Sequence, residues 1–409
     1  MSKTNCRFCG KSLSHVFADL GLSPLSNEYI AKEDLNKGQY FYPLKVNVCD
    51  ACFMVQAMEF SKPEDIFSEY KYFSSYSKSW LKHCKEYVDM IIPLLSLDKN
   101  SSVVEIACND GYLLQYFQQY HIPVYGIEPA ENVASEARKK GIDVISEFFN
   151  DKLAASLLEK HNRADLIIGN NVLAHVPDIN GFVEGLRVLL SSKGSITIEF
   201  PHLLNLMRFD QFDTIYHEHY SYFSLIAVKR IFEAHKLKIT KAEELDTHGG
   251  SLRIYATHID NDAIIDDSVG QILESEKNYG LDNIKTYTDF NNRIMKIKRD
   301  SIRVLSDIKD QGKQIAAFGA AAKGNTFLNY CGIGRDFIDY VVDSSRHKQG
   351  LYLPGTLIPI VGKDEILKRR PDYIIILPWN LSAEIEKEVK AARKWGCKLI
   401  TFIPETRIY

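Results

Sequence analysis

Val103-Val104-Glu105-Ile106-Ala107-Cys108-Asn109-Asp110-Gly111, then Tyr112-Leu113-Leu114 and Tyr125-Gly126-Ile127-Glu128-Pro129, is the stretch that decides the fold. Val103 to Ile106 reads as a short buried strand, and Asp110-Gly111 as the turn into a helix at Tyr112. Val124 to Ile127 reads as the next strand and ends on a carboxylate. At that point of a doubly wound sheet an acid can accept hydrogen bonds from two ribose hydroxyls. The G-x-G-x-x-G turn that lets backbone approach a pyrophosphate is absent, and a second acid, Glu105, lies inside the first strand. Such an acid suits a cofactor with an ammonium and a sulfonium rather than phosphates. S-adenosylmethionine fits that description, and NAD fits it poorly.

Further segments extend the pattern. Ser146-Glu147-Phe148-Phe149-Asn150 follows a third strand-like run, where an adenine ring would lie. Asp165 to Asn170 reads as a fourth strand running into the polar loop Asn171-Val172-Leu173-Ala174-His175, at the switch point where such sheets bind ligands. Gly194 to Phe200 supplies a fifth strand, and Leu237–Glu243 with Ser251–His258 a final antiparallel pair. This order is similar to a class I methyltransferase core. The expected cofactor set is Glu105, Asn109, Gly111, Glu128, Phe148, Asn170 and Asn171.

A chain of 409 residues calls for two or three domains, and 45% hydrophobic with 25% charged residues describes a globular protein. A net charge of −3 lacks the basic footprint of a general nucleic-acid or membrane-surface binder. With no apolar leader and no apolar run near the length of a spanning helix, a cytoplasmic protein is expected. Eight cysteines include two C-x2-C knuckles, Cys6/Cys9 and Cys49/Cys52. Four thiolates form a closed tetrahedral shell, so the expected metal is a structural zinc that does no chemistry. Cys84, Cys108, Cys331 and Cys397 read as buried thiols.

Three units follow: a zinc module over 1–60, a cofactor domain over 61–260 and a C-terminal α/β domain over 261–409. The last begins with long amphipathic helices between Ile264 and Lys313, whose basic face (Lys296, Lys298, Arg299, Arg303) reads as solvated. A second strand–turn–helix follows, Gln314–Phe318 into Gly319-Ala320-Ala321-Ala322-Lys323-Gly324, with a further strand ending at Asp343. Small residues and a lysine at such a turn suit either phosphate binding or a plain tight turn.

Ile215-Tyr216-His217-Glu218-His219-Tyr220-Ser221-Tyr222-Phe223 packs two histidines, a glutamate and three tyrosines into nine positions. On a strand His217 and His219 would share a face, which permits a His/His/Glu metal site, but the spacing lacks zincin geometry. Acid/base chemistry is the stronger reading. A histidine can take a proton from carbon beside a carbonyl, with a carboxylate such as Glu218 setting its tautomer and tyrosines stabilising the enolate.

Together these segments resemble the sugar C-methyltransferases of deoxysugar pathways, which act on nucleotide-linked keto-deoxysugars. The resemblance spans essentially the whole chain. It rests on the four cysteines, Tyr72-Phe73-Ser74-Ser75-Tyr76-Ser77-Lys78-Ser79-Trp80, the cofactor core, Tyr216–His219, His248-Gly249-Gly250-Ser251 and Gly319–Gly324. It implies a class I fold with an N-terminal zinc module and a second C-terminal α/β domain. It makes His219 the base at C3 of a 4-keto-6-deoxysugar and Glu218 its orienting group or a sugar ligand. Tyr76, His175 and Tyr216 would line the sugar site, joined by Ser77, Tyr222 and His248, and Lys323 would help hold a nucleotide diphosphate. One departure is Ala107-Cys108, where many adenosylmethionine enzymes carry glycine. The alternatives are an O- or N-methyltransferase on a related small molecule, or a zinc-containing binding module that has lost catalysis. A monomer or small homo-oligomer is expected.

Overall fold

The structure, a computed structural model, describes residues 5–60 and 73–409; Tyr72 of the tyrosine-serine run lies outside them. The described chain builds three sheets. The first joins β1 (His15–Ser23), β2 (Tyr42–Val48) and β3 (Val55–Ala57) to β9 (Ser221–Tyr222), a strand contributed from far along the chain. Val55 and Gln56 pair with Tyr222 and Ser221.

The central sheet contains β4 (Val103–Ile106), β5 (Val124–Ile127), β6 (Asp143–Ile145), β7 (Ala164–Asn170), β8 (Leu190–Pro201), β10 (Leu237–Leu245) and β11 (Ser251–His258). Its order is β10-β11-β8-β7-β4-β5-β6, with β11 antiparallel to both neighbours and β4 to β8 mutually parallel. That is the class I methyltransferase arrangement expected from the sequence. Parallel strands covered on both faces carry unbroken apolar runs, and all four residues of β4 are buried, Glu105 among them.

The third sheet follows the order β14 (Ile360–Val361), β13 (Val341–Val342), β12 (Ile315–Phe318), β15 (Tyr373–Ile376), β16 (Lys398–Thr401) and β17 (Arg407–Ile408). All pairings are parallel except the last, so its switch point falls between β12 and β15. The expected linking helices are Asp267–Tyr279 and Ile284–Asp310, separated by the short turn 280–283 that Gly280 opens. On the basic face Lys296 and Arg303 pair with Asp300 (2.6 and 2.9 Å), and Lys298 donates to the Tyr330 carbonyl.

The first sheet does not bury its apolar face alone. Phe17 stacks on Phe290 of the long helix at 4.6 Å. One continuous apolar core runs from Phe17 and Val46 through Leu203–Ile215 and Tyr287–Ile294 to Ile315 and Phe327. Among the described residues no helix is long and apolar enough to cross a membrane.

Candidate active site

The turn after β4 carries three left-handed residues, Ala107 (φ 59°), Asn109 (φ 49°) and Gly111 (φ 73°). For Ala107 this conformation costs about 1–2 kcal/mol relative to the right-handed region, so the departure from glycine is accommodated as backbone strain. Gly111 suits its left-handed backbone, and a Cβ there would also displace the tip of Ile142, whose Cδ1 would lie 2.3 Å away. The Cys108 thiol fills space against Gly126, where a Cβ would fall 2.2 Å from its sulfur. Glu128, at the end of β5, accepts from the Asn109 and Ala130 N–H groups (3.0 and 2.9 Å). Burial nevertheless lifts its carboxyl to about 7. Glu105 has no exposed surface, and apart from the neighbouring Tyr112 hydroxyl its carboxylate finds no hydrogen-bond partner. Burial pushes this carboxyl well above its usual range. An acid so poorly satisfied is costly and needs an explanation. A cation-bearing ligand seated on this turn supplies one, so these residues fit S-adenosylmethionine.

Ser74 N–H donates to Asn109 Oδ1 (3.0 Å) and Ser75 N–H to Asp110 Oδ2 (3.3 Å), laying the tyrosine-serine run across the cofactor turn. Within that run Ser77 caps the helix Lys78–Leu95 by accepting from Trp80 N–H. Tyr76 is 70% exposed and stacks on Phe73 at 5.4 Å. Phe148 is exposed, while Phe149 is buried and Asn150 caps the next helix.

Tyr216–Tyr220 is a turn rather than a strand, so His217 and His219 do not share a face. His217 Nε2 meets the Pro43 carbonyl at 3.3 Å. The His219 ring lies 4.8 Å from His175, 4.1 Å from Tyr216 and 6.1 Å from Tyr222, centroid to centroid. Its Nδ1–H donates to the Thr214 carbonyl at 2.9 Å, which leaves Nε2 as the lone-pair nitrogen. Glu218 does not set this tautomer, as the sequence had implied. Its carboxylate accepts from Asn27 Nδ2 at 2.6 Å, and burial raises it to about 7. Burial drives His219 well below an ordinary imidazole, helped by the nearby His175 and Lys323; His175 falls to about 4. A neutral base results.

The opposite wall is the turn Thr247–Gly250. His248 adopts φ 54°, its Nε2 accepts from Asn171 Nδ2 (3.1 Å), and its ring packs on Trp80 at 5.2 Å. Asn171 Oδ1 remains unpartnered. Glu199, at the end of β8, anchors this turn by accepting from Thr247 Oγ1 (2.8 Å). Burial alone would raise Glu199, but His83 (2.9 Å) and Arg253 (2.7 Å) hold it at about 2. The third sheet reaches the same cleft through Lys323, on the helix Ala322–Cys331, and Trp379, after β15. Lys323 Nζ donates to the His248 carbonyl (3.2 Å) and Asn380 Oδ1 (3.3 Å) and lies 4.7 Å from the Trp379 ring.

In the knuckles, the four sulfurs lie within 4.8 Å of one another, with Cys6–Cys52 at 3.6 Å and Cys9–Cys49 at 3.5 Å. Sulfurs about 2.3 Å from a tetrahedral zinc have such separations, and Gln56 Nε2 donates to Cys6 Sγ (3.2 Å) as an outer support. Among the described residues this is the one His/Cys/Asp/Glu group arranged to hold a metal, which removes the His/His/Glu reading. From inside the first knuckle, Arg7 donates to the Tyr220 carbonyl (2.8 Å) and to that of Ala57. The zinc module therefore grips the loop that carries His219. Sequence reading missed Arg7, Asn27, Asp213 and Trp379, whose contacts join distant parts of the chain, and Thr214, which acts through its backbone carbonyl. Glu199 had a signal, an acid ending the fifth strand, that went unused.

A switch-point turn with two buried acids, no phosphate loop and a methyltransferase strand order defines a class I S-adenosylmethionine-dependent methyltransferase. Three family models match in succession: "Putative zinc binding domain" over residues 6–67, "Methyltransferase domain" over 80–242 and "C-methyltransferase C-terminal domain" over 246–404. The chain is 32% identical over 403 residues to the C-methyltransferase NovU of Streptomyces niveus, covering 98% of this chain and 96% of that protein. The chain belongs to this C-methyltransferase family. Solved structures share less. Magnesium protoporphyrin IX methyltransferase of Synechocystis PCC 6803 with bound SAH is 16% identical over 44% of this chain and 84% of that one, with a TM-score of 0.34. PH0226 of Pyrococcus horikoshii OT3 is 14% identical over 49% and 99%, with a TM-score of 0.39.

Proposed function

We propose that this C-methyltransferase acts on C3 of a nucleotide-linked 4-keto-6-deoxysugar through an enolate, with His219 as the base. The observation that carries the reading is the His219 ring. Its Nδ1–H is committed to the Thr214 carbonyl, its Nε2 is left basic, and His175 and Tyr216 crowd its face. An O- or N-methyl transfer needs no such neutral, desolvated base beside further polar rings.

His219 Nε2 takes the C3 proton, and the C–H electron pair moves through C3–C4 onto the ketone oxygen. S-adenosylmethionine supplies an electrophilic methyl group: the enolate carbon forms the new C–C bond as the methyl–sulfur bond breaks and its electron pair stays on a neutral thioether. The proton on His219 then passes to solvent. In this reading Glu128 receives the ribose hydroxyls, Glu105 balances the ammonium, and Asn109, Gly111, Asn170 and Asn171 line the methionyl and adenosyl path beside Phe148. Tyr216, Tyr222, His175, His248, Tyr76 and Ser77 border the sugar, with Glu218 a candidate for a sugar hydroxyl. Labour divides among a scaffold over 1–60, the cofactor domain over 61–260 and a sugar-nucleotide domain over 261–409, in a cytoplasmic monomer or small homo-oligomer.

The test is intact mass spectrometry of nucleotide-linked 4-keto-6-deoxysugars incubated with adenosylmethionine in deuterated water. One added methyl, with solvent deuterium in recovered substrate, is the expected result. Methylation without deuterium in the recovered sugar, and with the methyl on oxygen or nitrogen, overturns the reading.

A further inference from the structure

The lysine expected to meet a diphosphate stands against the His248 carbonyl and the Trp379 ring. Lys323 extends from the first turn of Ala322–Cys331 into the cleft, where two of its three N–H donors reach the His248 carbonyl and Asn380 Oδ1. Its ammonium rests on the Trp379 face, and Trp379 Nε1–H in turn donates to Asp213 Oδ2 at 2.7 Å. Asp213 is immediately followed by Thr214, whose carbonyl fixes the His219 ring. A direct tie joins the lysine's own helix to that segment: Thr326 Oγ1, one helical turn beyond Lys323, donates to the Ile215 carbonyl at 3.1 Å. Lys323 and His219 are thus mounted on two segments locked together at Asp213 and Ile215. The lysine's charge is felt at the rings of both His219 and His248.

Lys323 is half-buried between the two sheets' carboxyl ends, against an indole face and the carbonyl of a residue that borders the cofactor loop. We propose that Lys323 is a catalytic residue of the methyl transfer, its ammonium donating to the sugar's ketone oxygen as the enolate forms. The C-terminal sheet then contributes chemistry as well as binding. A compact point charge with a spare N–H suits an oxygen that acquires a full negative charge only while C3 is deprotonated. The electron pair released by the C3–H bond settles on that oxygen and returns to carbon in the new C–C bond, so Lys323 keeps its proton throughout. This inference rests on the enolate reading given above.

The experiment uses the full-length, zinc-loaded protein with a nucleotide-linked 4-keto-6-deoxysugar in deuterated water. Exchange at C3 is followed by NMR with S-adenosylhomocysteine bound, and methyl transfer by steady-state kinetics. Lys323→Met is expected to lower both the exchange rate and kcat by about 100-fold or more, the loss typical of one oxyanion donor. KM for the sugar stays within about threefold, as expected when a transition-state contact is removed. Adenosylmethionine affinity by calorimetry is unchanged, and Lys323→Arg restores part of the exchange. Should Lys323→Met fail to bind adenosylmethionine, Lys323→Gln decides the question by the same readouts. A rise in KM that accounts for the loss, or a smaller fall in kcat, overturns the inference and returns Lys323 to the diphosphate while leaving the enolate reading intact. If the wild-type protein itself neither exchanges C3–H nor methylates carbon, the enolate reading fails and the inference falls with it.

Discussion

At the end of β4 the supporting contacts are local: Glu128 holds Asn109 N–H from 19 residues away and Ala130 N–H from two. Along Asp213–Tyr222 they are not. Arg7 reaches Tyr220 across 213 residues, Asn27 reaches Glu218 across 191, and Trp379 reaches Asp213 across 166. The first half of the site folds as a strand–turn–helix that carries its own geometry. The second half is a turn whose shape is imposed by the zinc module on one side and the C-terminal sheet on the other. The turn after β4 and the loop that carries His219 therefore depend on different parts of the molecule, and under the proposed enolate mechanism substitutions should separate cofactor binding from proton abstraction.

The largest separation is expected from His219→Asn. Loss of a general base lowers turnover by about 10²–10⁴-fold, while adenosylmethionine affinity, measured by calorimetry, stays within about tenfold because the β4 turn is untouched. A variant near wild-type rate would place the base elsewhere. Next comes Cys6→Ser. It should lose zinc by metal analysis and soften the Arg7 grip on Tyr220, costing about tenfold or more in kcat with cofactor affinity kept, in line with losses from disturbed outer-shell support. Full zinc content with wild-type kcat would uncouple the two regions.

Smallest is the reverse case, Glu128→Ala, which should weaken adenosylmethionine by about tenfold in all, the loss of one charged hydrogen bond, because the carboxyl is already half-protonated near pH 7. Here the pH dependence has a defined sign. Burial raises the Glu128 carboxyl from its ordinary 4.5 to about 7. Between these values the folded chain holds a proton that the unfolded chain releases, so this group's contribution to stability falls as pH rises through that window. Ribose hydroxyls donate to the ionised form, so cofactor affinity should climb through pH 7 in the wild type, and Glu128→Gln should remove that component. An identical profile in both would undo the ribose assignment.

The same contrast explains what the sequence made legible. Glu105, Glu128 and the β7 loop could be placed because each sits at a fixed offset from an apolar run, and parallel strands impose those runs. The cysteine knuckles were readable because tetrahedral sulfur ligation dictates their spacing. His219 stood out by the density of its neighbours, but its orienting group did not. Glu218 is adjacent in sequence and carries a charge, yet the ring turns to a backbone carbonyl, which no side-chain pattern reports. Ser77 and Tyr76 show the converse. Their motif is distinctive, yet its spacing reports neither that Ser77 caps a helix nor that Tyr76 is left exposed. Nothing in the text of the chain announces that Trp379 lies under Lys323, because that contact exists only once two sheets have docked.

The strand supplied by Ser221–Tyr222 to the N-terminal sheet also bears on synthesis. Translation delivers the zinc knuckles early and the cofactor sheet next, and domains fold as they emerge. The loop carrying His219 stays short of its restraints until Thr326 and Trp379 have left the ribosome. Tyr29 likewise waits for the Ala320 carbonyl, 291 residues downstream. The Asp213–Tyr222 segment therefore takes its final shape only after the C-terminal sheet is complete, later than the turn after β4.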